Sequence, residues 1–177
     1  MIDVPVPGLV VLVGAAGSGK STLAARLFAP DEVLSSDAFR AALRGDPADQ
    51  RATRPAFAIL HREAARRLSM GRLVVVDATN VEPAARRALV QLARTAAVPT
   101  VAIVLALPGL DVHARNAGRP GRVVPADIVD RHLGRLATLG DDPDSIGARL
   151  RAEGFAAVHV LATGEELSSL AVRRVAP

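Results

Sequence analysis

Nine residues near the start of the chain, Gly14-Ala15-Ala16-Gly17-Ser18-Gly19-Lys20-Ser21-Thr22, satisfy the pattern G-x-x-x-x-G-K-[ST] at every fixed position. The chemistry of that pattern is phosphate binding. Its glycines let the backbone wrap so that successive N–H groups point at one centre, and the N-terminus of the following helix adds its positive end. Lys20 neutralises phosphate charge, and the Ser21 hydroxyl is suited to Mg²⁺. Lys20 is the only lysine among 22 lysine and arginine side chains. A chain that uses arginine for every other cation keeps a compact ammonium at the one position that wants a point charge.

Three further segments carry groups suited to an acceptor or to a transferring phosphoryl. In Ser35-Ser36-Asp37-Ala38-Phe39-Arg40, Ser36 is positioned to cap a helix, which sets Asp37 and Arg40 three apart on one face. A carboxylate there can accept a hydroxyl proton, and a guanidinium can hold an anion on the acceptor. The apolar run Leu73-Val74-Val75-Val76 ends in Asp77, which can orient Mg²⁺ through water or brace Ser21; Thr79 and Asn80 follow toward the acceptor. The segment His113-Ala114-Arg115-Asn116-Ala117-Gly118-Arg119-Pro120-Gly121-Arg122 reads as a lid. Arg115 and Arg119, four apart, share one face of a helical turn, and Gly118 and Gly121 permit hinge movement.

Elements must hold these groups together. Five short apolar runs read as buried strands: Gly8–Val13, Glu32–Ser35, Leu73–Val76, Thr100–Leu105 and Ala157–Leu161. Between them lie helical patterns. Leu23 and Leu27 follow the phosphate loop, and Pro30 ends that helix. Pro55 starts a helix with Phe57, Leu60, Ala64 and Leu68 inward, ended by Gly71; Pro83 starts one with Ala85, Leu89, Leu92 and Ala96 inward. Pro125 starts another with Ile128, His132, Leu136 and Leu139 inward and Gly140 at its end, and a short one around Ile146, Arg149 and Leu150 closes at Gly154. Strands alternating with helices predict a parallel sheet covered on both faces, whose C-terminal edge collects the ligand-binding groups. The polar stretch 111–125 interrupts the alternation as the lid. His61 and His132 are expected to be half-buried, satisfied histidines, and His159 to lie in the last strand, none with a chemical role.

Composition narrows the options. A length of 177 residues, half of them apolar, predicts one domain over 1–177 with a real core. Absence of cysteine excludes disulfides, thiolate metal sites and cysteine nucleophiles. There is no Trp or Tyr, and Phe28, Phe39, Phe57 and Phe155 are the only aromatic rings besides histidine. The net charge of +4 is mild, and the pI near 11.0 reflects the scarcity of groups titrating between pH 8 and 11. Met1-Ile2-Asp3-Val4 has no basic leader character, and Leu9 to Val13 is too short to span a membrane, so a soluble cytoplasmic protein with no membrane association is expected.

Taken in order and spacing, GAAGSGKST, SSDAFR, VVVDATNV and RNAGRPGR followed by Val-Pro resemble the kinase domain of bacterial 5′-hydroxyl polynucleotide kinases. More broadly they are similar to the P-loop kinase group that includes zeta toxins (the AAA_33 type) and small-molecule phosphotransferases. The resemblance spans about residues 8 to 140. It implies an α/β P-loop kinase fold, a five-stranded parallel sheet flanked by helices, with a small Arg-rich helical lid. It also implies ATP, or another nucleoside triphosphate, with Mg²⁺. In that reading Lys20 and Ser21 serve the triphosphate and metal, and Asp37 is the general base for a nucleic-acid 5′-hydroxyl. Arg40 holds a phosphate on the 3′ side of that end, Thr79 sits beside it, and Arg115 and Arg119 engage the donor phosphates. Kinases of this type usually come joined to phosphatase or ligase domains, so separate phosphatase or ligase partners are expected. A kinase of a small alcohol (sugar, antibiotic or nucleotide-sugar) uses the same base and lid and is the alternative. An ATP-binding switch without an acceptor gives the Asp37–Arg40 pair nothing to do.

Overall fold

The structure, a computed structural model, describes residues 1–44, 53–119 and 123–177. Its elements alternate as the apolar runs predict. Strand β2 (Gly8–Gly14) leads through the phosphate loop into α1 (Lys20–Leu27), and β3 (Val33–Ser35) leads into α2 (Ser36–Arg44). Helix α3 (Thr53–Ser69), β4 (Leu73–Asp77), α4 (Pro83–Thr95) and β5 (Thr100–Leu105) follow. After them come α5 (Gly109–Ala117), α6 (Ala126–Ala137), α7 (Pro143–Glu153) and β6 (Ala157–Leu161). The five strands form one parallel sheet in the order β3-β4-β2-β5-β6. Strand β2 sits at the centre, between the strands on which the order reverses, so its C-terminal end opens into the crevice where open α/β sheets bind ligands.

Every residue of β2 is buried, as a strand covered on both faces must be. Its side chains alternate between two cores. Leu9, Val11 and Val13 pack with Leu60 and Ala64 of α3, Leu89 of α4 and Leu150 of α7. Val10 and Leu12 pack with Leu23 and Ala24 of α1 on the other face. Helix α6 joins the two, giving Val129 to the second core and Leu136 to the first.

Six elements depart from the sequence reading. Strands β1 (Ile2–Pro5) and β7 (Val172–Val175), and the short helix α8 (Gly164–Ser169) between β6 and β7, are not among the predicted elements. The two strands pair in parallel as a separate two-stranded sheet, and Ile2 and Val4 extend the second core. Each run is too short and too charged to register as a strand. Helix α3 begins two residues ahead of Pro55. On α4 the buried stripe is Arg86, Leu89, Val90 and Ala93, so Ala85, Leu92 and Ala96 are only half-buried. The shift is driven by Arg86, 1% exposed, which donates from Nε and Nη2 to the Glu153 carboxylate at 2.7 Å each and from Nη1 to the carbonyls of Val81 and Asn80. On α7, Arg149 is exposed, and Ile146, Gly147 and Leu150 face inward. The helix ends at Gly154 in the left-handed conformation, φ +109°, as predicted.

Candidate active site

The phosphate loop bridges β2 and α1 at the C-terminal edge of the sheet. Gly17 has φ +85°, and a Cβ there would stand 2.7 Å from Cβ of Asn116 and 2.9 Å from the Val112 carbonyl. Only glycine permits both that conformation and so close an approach of α5. Lys20 is buried, and its Nζ donates to the Ala15 carbonyl at 2.7 Å and lies 3.5 Å from the Ser18 hydroxyl. The ammonium therefore folds back over the loop it serves. Burial pushes its pKa down to about 8; Asp77 opposes the shift and Arg119 adds to it. Ser21 and Thr22 are exposed at the start of α1.

These groups line a cleft of about 980 Å³. Residues Ala16, Gly17, Gly19, Lys20, Ser21 and Thr22 form its floor. Asp77 and Thr79, following β4, form one wall, and Ser36, Asp37, Arg40 and Phe57 form the acceptor side. Arg115, Gly118 and Arg119, with Val123, Val124 and Pro125, form the roof together with Ile128, Arg131 and His132 of α6. Of the proposed loop residues Gly14, Ala15 and Ser18 stand behind the floor: Ala15 and Ser18 are fully buried, and the Gly14 N–H donates to the Thr79 carbonyl at 2.9 Å. That bond ties the loop to the strand end that carries Asp77.

Asp37 and Arg40 meet on the first turn of α2, where the guanidinium donates to the carboxylate. The helix is capped by Ser35, whose hydroxyl accepts the Ala38 N–H, and Ser36, expected to cap it, is the first helical residue. Asn80 was expected to reach the acceptor and does not. It is 2% exposed in the left-handed conformation (φ 48°), and its Nδ2 donates to the Leu12 carbonyl at 2.8 Å. Its role is to turn the chain after β4.

The lid is more helical than its polarity suggests. Helix α5 covers Gly109–Ala117, so Arg115 lies in its last turn and Arg119 beyond its end, and the two do not share a helical face; both nonetheless reach the cleft. Pro120, Gly121 and Arg122 lie outside the described residues. Asn116 was not singled out by sequence. It is 4% exposed, and its side chain donates to the Val124 carbonyl at 2.8 Å and accepts the Val124 N–H at 3.1 Å. With the His113–Asp130 contact at 2.8 Å, it fastens α5 to the start of α6. His132 is half-buried as expected, but it lies in the cleft, and its Nδ1 accepts the Ala16 N–H at 3.4 Å. His61 is half-buried beside Phe57, with a buried Nε2 that has no partner among the described residues, so it is not satisfied as expected. His159 lies in β6, as expected.

Oxygen donors from Ser21 and Asp77, both lining the cleft, suit a hard divalent cation. Among the described residues no cluster of three or more His, Cys, Asp or Glu could hold a metal. Mg²⁺ in such a site needs only one or two protein oxygens, the rest of its shell coming from donor phosphates and water.

A phosphate loop at the central strand of a five-stranded parallel sheet, under a helical arginine roof, defines a P-loop kinase fold. The AAA_33 family model, described as an AAA domain, matches residues 9–139, and the chain belongs to that family of P-loop kinases. Its phosphate loop implies a nucleoside triphosphate as ligand. No curated protein matches the sequence. Among solved structures, Chaetomium thermophilum Kti12 in complex with ADP-AlF3 aligns with TM-score 0.61 at 18% identity, covering 90% of this chain and 93% of that one. A gluconokinase from Sinorhizobium meliloti aligns with TM-score 0.57 at 20% identity, covering 93% and 87%. The Pnkp1/Rnl/Hen1 RNA repair complex aligns with TM-score 0.59 at 23% identity, over 76% of this chain and 45% of that one, so the present chain spans under half of that partner's length. At these identities the likeness is one of fold. No described helix is long and apolar enough to cross a membrane.

Proposed function

We propose that the protein transfers the γ-phosphate of ATP to an alcohol, and that the alcohol is the 5′-hydroxyl of a polynucleotide. The observation that carries the transfer reading is the joint presence of Asp37 and Lys20 in one cleft, with Thr79 on the wall beside them. A carboxylate facing a phosphate loop across a cleft is the arrangement that hydroxyl-to-phosphate transfer requires.

In this reading Lys20 and the loop N–H groups hold the donor phosphates, and Arg115 and Arg119 stabilise the charge that spreads over the transferring group. Asp37 accepts the hydroxyl proton. Arg40 holds Asp37 in position, and its positive charge on the acceptor side of the cleft suits a phosphate on the acceptor, beside Thr79. Mg²⁺ at Ser21 and Asp77 would neutralise phosphate charge when bound. The order of the motifs, together with the RNA repair complex among the structural neighbours, favours the polynucleotide acceptor.

A second reading is favoured by a specific feature. Phe57 is the one phenyl ring lining the cleft, so base stacking is thin, and the fold is shared with a gluconokinase. A sugar, antibiotic or nucleotide-sugar hydroxyl would use the same base and lid. The deciding experiment is transfer from γ-labelled ATP with Mg²⁺ to a 5′-hydroxyl RNA and the matching DNA. Wild type should label the end, and Asp37→Ala should lose about 10²–10⁴-fold in rate. ATP binding without any labelled end, with a metabolite consumed instead, would replace the polynucleotide reading by the small-molecule one.

A further inference from the structure

The roof of the cleft contains an imidazole that the transfer reading does not use. The His132 ring projects from α6 into the cleft, and its Nδ1 accepts the N–H of Ala16, the third residue of the phosphate loop. This is a contact across 116 positions of sequence, made to a backbone group of the element that must receive the donor phosphates. An accepting Nδ1 requires a neutral ring with its proton on Nε2.

We propose that His132 is a positioning residue for the phosphate loop: its neutral ring holds the Ala16 amide and keeps the loop in the shape that receives a triphosphate, and protonation of the ring releases it. The fold gives the ring that role because α6 is itself anchored. Val129 and Leu136 bury it in both cores, and Asn116 and His113 fasten α5 to it. The loop is thereby referenced to α6 in addition to its own turns.

The surroundings keep the ring neutral at pH 7. Burial lowers its pKa below the ordinary 6.5, and Lys20 on α1 and Arg131 on α6 act the same way, with Glu82 ahead of α4 opposing. Arg115 and Arg119 from the α5 side and Asp77 of β4 line the same cleft. Protonation then turns an acceptor into a donor facing another donor, and the Ala16 contact is lost.

The inference rests on the cleft taking a triphosphate, and not on what the acceptor is. Its test is therefore equilibrium binding of a non-hydrolysable Mg²⁺–ATP analogue, with no acceptor present. His132→Leu removes the acceptor atom. His132→Asn keeps a δ-position acceptor that does not titrate. At pH 8, His132→Leu should bind the analogue about three- to tenfold more weakly than wild type, the worth of one neutral hydrogen bond, and His132→Asn should restore most of the loss. As pH falls through the ring's lowered pKa, wild type should converge on His132→Leu, while the ratio of His132→Asn to His132→Leu stays constant. The Asn variant corrects for titration of the nucleotide itself.

Equal affinity of the Leu and Asn variants would overturn the proposal. So would tighter binding by wild type relative to His132→Asn at low pH, because the ring would then act as a phosphate-binding cation. If His132→Leu does not fold, the pH-dependence of wild type against His132→Asn decides alone. No analogue binding by wild type would overturn this inference and the transfer reading together. Binding that follows the proposal, without labelling of a 5′-end, would leave the inference standing and sink only the acceptor.

Discussion

Lys20 is an ammonium held against the carbonyl of Ala15 with little access to water, and its burial has a measurable consequence for nucleotide binding. Burial first, with Arg119 adding to it against Asp77, lowers its pKa from 10.5 to about 8. The folded-state value lies below the unfolded one, so the group penalises the empty fold fully below about pH 8, and the penalty fades as pH rises toward 10.5. Stability of the empty protein should therefore gain from this group across that window, and Lys20→Met should abolish the gain. Donor phosphates supply the missing counter-charge and return the ammonium toward its ordinary range. Binding of the triphosphate at pH 8.5 should then take up about three-quarters of a proton. Calorimetric titration in two buffers of different ionisation heat reads that number directly. An uptake near zero would mean that the ammonium is already fully charged in the empty cleft.

At the scale of elements, the contact between the phosphate loop and α5 turns on a single hydrogen atom at Gly17. Both the φ of +85° and the 2.7 Å approach to Asn116 leave no place for a methyl group. Gly17→Ala should push α5 away from the loop and disturb the Asn116–Val124 clamp, at a cost of about 1–3 kcal/mol. Donor affinity and thermal stability should fall together, whereas Gly134→Ala, on α6 with open space at its Cβ, should leave both near wild type. The same element shows where sequence reasoning reached and where it stopped. The loop, the Asp37–Arg40 pair and the five central strands were legible because their patterns are local: fixed spacings, short apolar runs, a proline or glycine at a helix end. The phase of α4 was not, because Arg86 reads as a solvent-facing charge until Glu153, 67 positions away, is brought beside it. His132 was not legible for the same reason. Its partner is a backbone amide of the phosphate loop, and nothing in a helical stripe distinguishes a ring facing a core from one facing a cleft.

For the whole molecule, the ion pair between Arg86 and Glu153 connects α4, which links β4 to β5, with α7, which leads into β6. It also satisfies the carbonyls of Asn80 and Val81 at the chain turn after Asp77. Its side chains are 1% and 15% exposed, so its energetics are those of an interior pair rather than a surface one. Removing one partner strands the other charge. Glu153→Ala should cost about 3–5 kcal/mol. For a chain of this size that is a fall of roughly 6–20 °C in Tm. Arg86→Met combined with Glu153→Leu removes both charges and should recover much of the loss, because a well-packed apolar pair avoids the desolvation of two ions. Recovery should stop short of wild type, since the Asn80 and Val81 carbonyls lose their buried donor. The shortfall should appear at the site as well as in the melt. Those carbonyls flank the segment that carries Asp77 and Thr79, so nucleotide affinity of the double variant should weaken even where its Tm is restored. Full recovery of both would mean that the turn after β4 is held by Asn80 and its bond to Leu12 alone.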